Sequence, residues 1–248
     1  MKILTFANYE KMSVAAADFV VSYIQQKSDA LLCFPSGDSP TGILSVLIRY
    51  AEEGKVNFDK CSFVGLDEWV GMDETNEGSC KHYMYSKFFN PLKIRPDQII
   101  FFNALALDLD KECKRIDDLI SLKGGIDIMM VGVGMNGHIG LNEPGTDFNS
   151  YSHHSELDQT TKTVGQKYFK QETELKEGIT LGIKHLLEAK HAVLIAHGSK
   201  KASIISKALD GEITNQVPAS IFQKIENSVV YLDKDAASQL KLDKFNEG

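Results

Sequence analysis

Short apolar segments of strand length alternate with segments of helical periodicity along most of this chain, and that alternation limits the fold more than any other feature. The first seven residues are β-like, and residues 9–26 place Ala15, Phe19, Val20 and Tyr23 at helix-like spacings. Strands are expected over 30–34, 62–66, 98–102, 126–133, 192–197 and 228–232, with helices over 43–53 and from about 202 to 209. The polar tail at 235–248 reads as a short helix and a frayed end. This order specifies an α/β chain: a mostly parallel open sheet, Rossmann-like, with helices on both faces. No linker, low-complexity segment or internal repeat interrupts it, so a single domain over 1–248 is expected. Open parallel sheets bind ligands at the carboxyl ends of their strands. The loops at 36–41, 67–69, 134–143 and 198–201 all follow strands and can share one cleft.

The richest of these loops is Val131-Gly-Val-Gly-Met-Asn-Gly-His-Ile-Gly-Leu-Asn-Glu-Pro-Gly145, which follows the apolar Ile126-Asp-Ile-Met-Met130. Its glycines let the backbone turn tightly and approach a ligand. Within eight residues it carries the Asn136 carboxamide, the His138 imidazole and the Glu143 carboxylate. A histidine oriented by a carboxylate is a general acid/base unit. The competing reading is a glycine-rich turn with an exposed histidine.

Three further loops add chemistry. Ser36-Gly-Asp-Ser-Pro-Thr41 precedes a helix and offers Ser36, Gly37, Asp38, Ser39 and Thr41 around free helix-start amides, which attract phosphate. It lacks the Walker frame, and Ser39 can equally be a helix cap with Pro40 at the first helical position. Gly198-Ser-Lys-Lys201 sets two lysines at a helix mouth, where the macrodipole disfavours a cation unless an anion answers it. Leu66-Asp-Glu-Trp69 sets two carboxylates at a strand end. One can act as a base while the other caps a helix or pairs with a lysine; Asp67 facing the cleft and Glu68 serving structure is the preferred assignment. His153, His154, His185 and His191 read as surface or helix-end groups, whereas His197 can line the cleft. Tyr83, Tyr85, Phe88 and Phe89 read as packing for a helix.

Composition narrows the function classes. A net charge of −7 with no long Lys/Arg block argues against a nucleic-acid surface. No apolar run is long enough to span a bilayer, and the N-terminus lacks the pattern of a signal peptide. Cys33, Cys61, Cys80 and Cys113 are scattered without a CxxC pair, so reduced thiols in a cytoplasmic protein are expected and a zinc site is not. A homo-oligomer is compatible with a chain of this size.

These loops together resemble the glucosamine-6-phosphate deaminase family, within a wider group that includes 6-phosphogluconolactonases and sugar-phosphate isomerases. The resemblance runs from Ala30 to about Leu232, and its most specific block is Gly-x-Asn-Gly-His-Ile-Gly-Leu-Asn-Glu-Pro-Gly at 134–145. Leu66-Asp-Glu-Trp-Val70 matches a second block and Ser36-Gly-Asp-Ser-Pro40 the phosphate loop. Details such as Gly178-Ile-Thr-Leu-Gly182 and Val217-Pro-Ala-Ser220 are most similar to the galactosamine-6-phosphate isomerase branch.

The resemblance implies a metal-free, cofactor-free aldose–ketose isomerisation with loss of ammonia from an amino-sugar phosphate. His138 would open the sugar ring with help from Glu143 and Asn136, and Asp67 would carry a proton between C2 and C1. Lys201 falls at the family's phosphate-binding lysine. Lys167 stands where many members have arginine, preserving charge but not the bidentate fork. Asn136 stands where some members carry aspartate, which shifts the stabilisation of protonated His138 to Glu143. No lysine or arginine occurs in 149–155, where activated members bind a second phosphate, so no activation by N-acetylglucosamine 6-phosphate is expected. The rival readings are a 6-phosphogluconolactonase and a non-catalytic sugar-phosphate sensor.

Overall fold

A computed structural model describes residues 1–241 and 246–247. The first half of the chain forms β1 (Lys2–Phe6), α1 (Tyr9–Gln26), β2 (Leu31–Phe34), α2 (Asp38–Glu52), β3 (Ser62–Gly65), β4 (Asp67–Trp69), α3 (Cys80–Met84), β5 (Ile99–Ile100) and α4 (Leu109–Leu122). The second half forms β6 (Ile128–Val131), β7 (His153–Glu156), α5 (Gln159–Gly165), β8 (Glu177–Thr180), α6 (Ile183–Glu188), β9 (His191–Ala196), α7 (Ala202–Asp210), β10 (Ser228–Asp233) and β11 (Asn246–Glu247). Eight strands make one sheet in the order β11-β1-β10-β9-β6-β2-β3-β5, with every neighbouring pair parallel.

The central strands are apolar throughout because both faces of the sheet are covered. On β6, Ile128 and Met130 enter one core with Leu32 and Phe34 of β2. Met129 and Val131 enter the opposite core with Leu31 and Cys33. The first core packs against α1 and α2 through Met12, Val20, Ile43 and Leu47. The second packs against α4, α6 and α7 through Ile116, Ile120, Leu186 and Ile205. Period-two alternation thus feeds both helical layers from the same strands. Phe88 and Phe89 are buried among Phe34, Phe58 and Phe63, as packing residues.

Several boundaries differ from the sequence expectation. Helix α2 begins at Asp38 rather than residue 43, with Gly37 as its N-cap at φ 108°. Ser39 is therefore inside the helix and is not its cap. Pro40 sits at the third helical position, still in the first turn, where a missing N–H costs no intrahelical bond. The tail expected to be a short helix instead forms turns over 234–239, followed by the short strand β11 against Leu4 and Thr5. The rest of that expectation, at 242–245 and 248, lies outside the described residues.

One layer was not anticipated. Strands β4, β8 and β7 form a separate antiparallel sheet, pairing Asp67 with Thr180 and His153 with Thr180 from the other side. Strand β7 is His-His-Ser-Glu, with no apolar alternation to mark it, and β4 is only three residues long. This small sheet stands at the carboxyl end of β3, and it is what holds Asp67 in place. No helix among the described residues is long and apolar enough to cross a membrane. The four cysteines are free and buried.

Candidate active site

Beyond β6 the glycine-rich loop folds back on itself. Gly134 N donates to the His138 carbonyl at 2.9 Å, and Gly137 N to the Gly134 carbonyl at 3.1 Å. Gly137 sits at φ 91°, a conformation that disfavours side chains. A Cβ at Gly134 would stand 2.3 Å from His138 Cε1, so the imidazole occupies the space a side chain would need. The Asn136 carboxamide ties the loop together: Oδ1 accepts from His138 N at 3.2 Å, and Nδ2 donates to Glu143 Oε2 at 2.9 Å and Asp158 Oδ1 at 3.2 Å.

His138 Nδ1 lies 3.5 Å from Glu143 Oε2, beyond ordinary hydrogen-bond range. Thr161 Oγ1, on α5, is closer to the same nitrogen at 3.0 Å. Burial alone would raise the Glu143 carboxyl, but contacts with His138, Thr161 and Asn136 hold it below its ordinary value. Its other oxygen, Oε1, is buried with no protein partner among the described residues.

Asp67 is 8% exposed. Burial pushes its carboxyl up to about 6, against the lowering effect of the Cys80 hydrogen bond and the nearby His138. Glu68 is wholly buried and serves structure, as expected. Its Oε1 accepts from Trp69 N and Cys80 N, each at 2.9 Å, and its Oε2 from Lys81 N at 2.8 Å. It thereby satisfies amides at the start of α3, although burial still pushes the carboxyl up to about 7. The Cys80 thiol beside Asp67 is fully buried, and burial together with the Asp67 and Glu68 charges pushes it well above its ordinary value.

The two lysine-bearing segments meet at the loop at 36–41. Gly37 makes no side-chain cap, which leaves the first-turn amides of α2 without a side-chain partner. Thr41 is exposed, with Oγ1 donating to the Gly37 carbonyl at 3.0 Å and paired with Tyr83 Oη at 2.8 Å. Ser39 is half-buried, and its carbonyl accepts from Tyr9 Oη at 3.0 Å. Lys167 Nζ lies 2.5 Å from Asp38 Oδ2 and 4.8 Å from the Tyr168 ring centroid. Lys201 Nζ donates to the Val133 carbonyl at 2.7 Å. Burial lowers the Lys201 ammonium to about 8, and Lys167 adds repulsion that Asp38 partly offsets. Two cations and helix-start amides without side-chain partners give this end of the site the chemistry to hold an anion.

Several residues here escaped sequence reasoning. Thr161, Asp158 and Cys80 touch the acid/base groups, yet each lies in a polar or unremarkable stretch with no spacing signal. Asp233 is another: both its oxygens accept from Gly198 N at 3.0 Å, so that amide is not available to an anion. His185 is not a surface group. It is 5% exposed, with Nε2 at 2.8 Å from Asp117 Oδ1. His154 is partly buried between Glu177 and Asp110. His197 stacks edge-on against Tyr9, with ring centroids 4.2 Å apart. Among the described residues no group of three or more His, Cys, Asp or Glu side chains could hold a metal ion.

Comparison with known proteins places this geometry. The family model for glucosamine-6-phosphate isomerases/6-phosphogluconolactonase matches residues 7–231. A glucosamine-6-phosphate deaminase of Clostridium botulinum (strain Langeland) is 37% identical over 243 residues, covering 98% of this chain and 100% of that one. The structure of a monomeric glucosamine-6-phosphate deaminase superposes with a TM-score of 0.93 at 34% identity, covering 96% of this chain and 100% of that one. A 6-phosphogluconolactonase from Trypanosoma cruzi shares the fold at a TM-score of 0.78 but only 15% identity, over 97% of each chain. The chain is an enzyme of the glucosamine-6-phosphate deaminase/isomerase family.

Proposed function

We propose that this enzyme converts an amino-sugar 6-phosphate and water to a ketohexose 6-phosphate and ammonia. The observation that carries the reading is the pairing of a buried, raised carboxyl at Asp67 with the nearby His138 unit, beside the Lys167 and Lys201 cations. The anion site takes the phosphate. His138, supported by Glu143 and Asn136, moves the proton between the anomeric hydroxyl and the ring oxygen that opens the pyranose. Ring opening exposes an aldehyde at C1 and acidifies the C2 proton.

Asp67 removes that C2 proton while the C2 ammonium gives one to O1, so the enolate becomes a neutral enolamine, and Asp67 then delivers its proton to C1. The product is a C2 iminium with a hydroxymethyl group at C1. Water adds to C2, and ammonia leaves as the ketone forms. One base reaching two adjacent carbons suffices for the transfer. Removing Asp67 from water raises its basicity, which suits a carboxylate for abstracting a carbon-bound proton.

Two C4 epimers fit. The named relatives support glucosamine 6-phosphate, giving fructose 6-phosphate, and the sequence blocks around 66–70 and 178–182 support galactosamine 6-phosphate, giving tagatose 6-phosphate. Ammonia release from the two substrates, assayed side by side, tests the reading. Turnover of one or both is expected, and turnover of neither, with hydrolysis of a 6-phosphogluconolactone instead, overturns it.

A further inference from the structure

The first turn of α2 has no side-chain cap, and a tyrosine from α1 holds it instead. Gly37, the N-cap residue, offers no side chain to bond the first amides. Tyr9 Oη accepts from Gly42 N at 2.7 Å and reaches the Asp38 and Ser39 carbonyls at 3.0 Å each. Gly42 N and the Asp38 carbonyl are four residues apart, the donor and acceptor of an ordinary helical bond. The hydroxyl thus touches both ends of a bond in the first turn. We propose that Tyr9 is a positioning residue, whose hydroxyl sets the first turn of α2 so that the Ser39 amide faces the substrate's phosphate. This role rests on the deaminase reading and deepens it.

The amides available to an anion are few. Pro40, at the third helical position, has no N–H, so the first three helical residues offer only Asp38 N and Ser39 N. A peptide unit is planar and trans, so its C=O and N–H point in opposite directions. Holding a carbonyl therefore aims the amide of the next residue. The Asp38 carbonyl shares its plane with Ser39 N, and Tyr9 holds that carbonyl. The Gly37 carbonyl shares its plane with Asp38 N, and it accepts from Thr41 Oγ1 at 3.0 Å. Thr41 gives its one hydroxyl hydrogen there, so Tyr83 Oη donates to Thr41 Oγ1 across 2.8 Å. Two tyrosines, one directly and one through a threonine, orient the two amides.

The place of the Tyr9 hydroxyl is itself fixed. Tyr9 opens α1, whose N-cap Asn8 accepts from Lys11 N at 2.9 Å. Its ring meets His197 edge-on, at the end of β9 beside the segment bearing Lys201. A Cβ at Gly42 would stand 3.0 Å from Tyr9 Cε1 and Cζ, so the glycine leaves the ring its room. In the last turn of α2, Tyr50 Oη donates to Asp18 Oδ1 at 2.9 Å, tethering the same two helices away from the first turn.

The experiment measures binding of inorganic phosphate directly, by phosphorus-31 NMR titration, alongside steady-state kinetics on the amino-sugar phosphate. Tyr9→Phe keeps the ring and removes the hydroxyl. It is expected to weaken phosphate binding and raise KM about 3- to 10-fold, the range of one uncharged hydrogen bond, with kcat changed less than about twofold. Tyr50→Phe is expected to leave phosphate affinity, KM and kcat at wild-type values, since it removes a tether between the same helices that aims no first-turn amide. Unchanged phosphate affinity in Tyr9→Phe, an equal loss in Tyr50→Phe, or a wild-type enzyme that binds no phosphate overturns the proposal. Should Tyr9→Phe fail to fold, amide NMR of the wild-type enzyme decides. The Ser39 amide proton is expected to move downfield as phosphate is added, and an unmoved Ser39 signal overturns the role. Absence of ammonia release by a wild-type enzyme that passes these tests counts against the deaminase reading alone, because phosphate binding is read without turnover.

Discussion

Lys167 Nζ and Asp38 Oδ2 stand 2.5 Å apart, so a carboxylate at the start of α2 holds a cation of the segment after α5. Under the proposed function, an incoming phosphate must displace that carboxylate from Lys167 or bind beside it at the cost of repulsion. Both groups are substantially exposed, so the pair itself contributes little to stability.

Asp38→Asn removes the internal competitor. The KM for the sugar phosphate is expected to fall about two- to fivefold, the range typical of exposed ion pairs, and inorganic phosphate to inhibit more strongly. Steady-state kinetics with phosphate as competitor checks this; a raised KM would show that Asp38 aids binding instead. Lys167→Met is expected to raise KM by about tenfold.

Under the proposed function, the pH profile of kcat/KM follows from two displaced groups. The Asp67 carboxyl, raised by burial to about 6, must be ionised to act as a base, so activity falls as pH drops through that value. The Lys201 ammonium, lowered by burial to about 8, must be charged to bind phosphate, so activity also falls as pH rises through that value. A bell between these limbs is expected in a titration of kcat/KM, and Lys201→Arg should remove the basic limb because guanidinium stays protonated.

Asp67→Asn separates activity from stability. Turnover is expected to vanish while phosphate still binds. For stability the sign is opposite to that of a salt-bridged carboxylate: the folded pKa is above the unfolded one, so the native state binds more protons between about pH 4 and 6 and loses stability as pH rises through that window. A neutral amide avoids that loss, and at pH 7 the variant should gain stability on the order of 2–3 kcal/mol. Urea unfolding at pH 4 and pH 7 tests this, with a gain expected only at the higher pH.

Gly134→Ala challenges the seat of the imidazole. The added Cβ would meet the His138 ring at 2.3–2.5 Å, and the ring cannot move without breaking its contact with Thr161. A fall in kcat of about 10- to 100-fold is expected with a smaller change in KM. Wild-type kcat in this variant would mean that ring position is not critical.

Much of the candidate site's grouping was legible because its side chains cluster in loops punctuated by glycine. Asn136, His138 and Glu143 sit within one such run, and the structure joins them through the Asn136 side chain. The pattern of β2 and β6, apolar at every position, announced a sheet covered on both faces. The antiparallel sheet of β4, β8 and β7 was not legible, because β7 is polar and its pairing is set by partners more than twenty residues away. The start of α2 was misplaced for a local reason: Pro40 reads as a first helical residue, yet it is tolerated anywhere in the first turn.

The sequence by itself determined the chemical inventory, the α/β architecture and the loops that bear the inventory, since glycine spacing and apolar periodicity are local properties. Tertiary structure alone decided the state of each group. Burial by a second sheet raises Asp67, the amides of α3 claim Glu68, Asp38 claims Lys167, and a threonine from α5 reaches His138. Desolvation and hydrogen-bond direction depend on which atoms surround a side chain in space, and those atoms come from segments far apart along the chain.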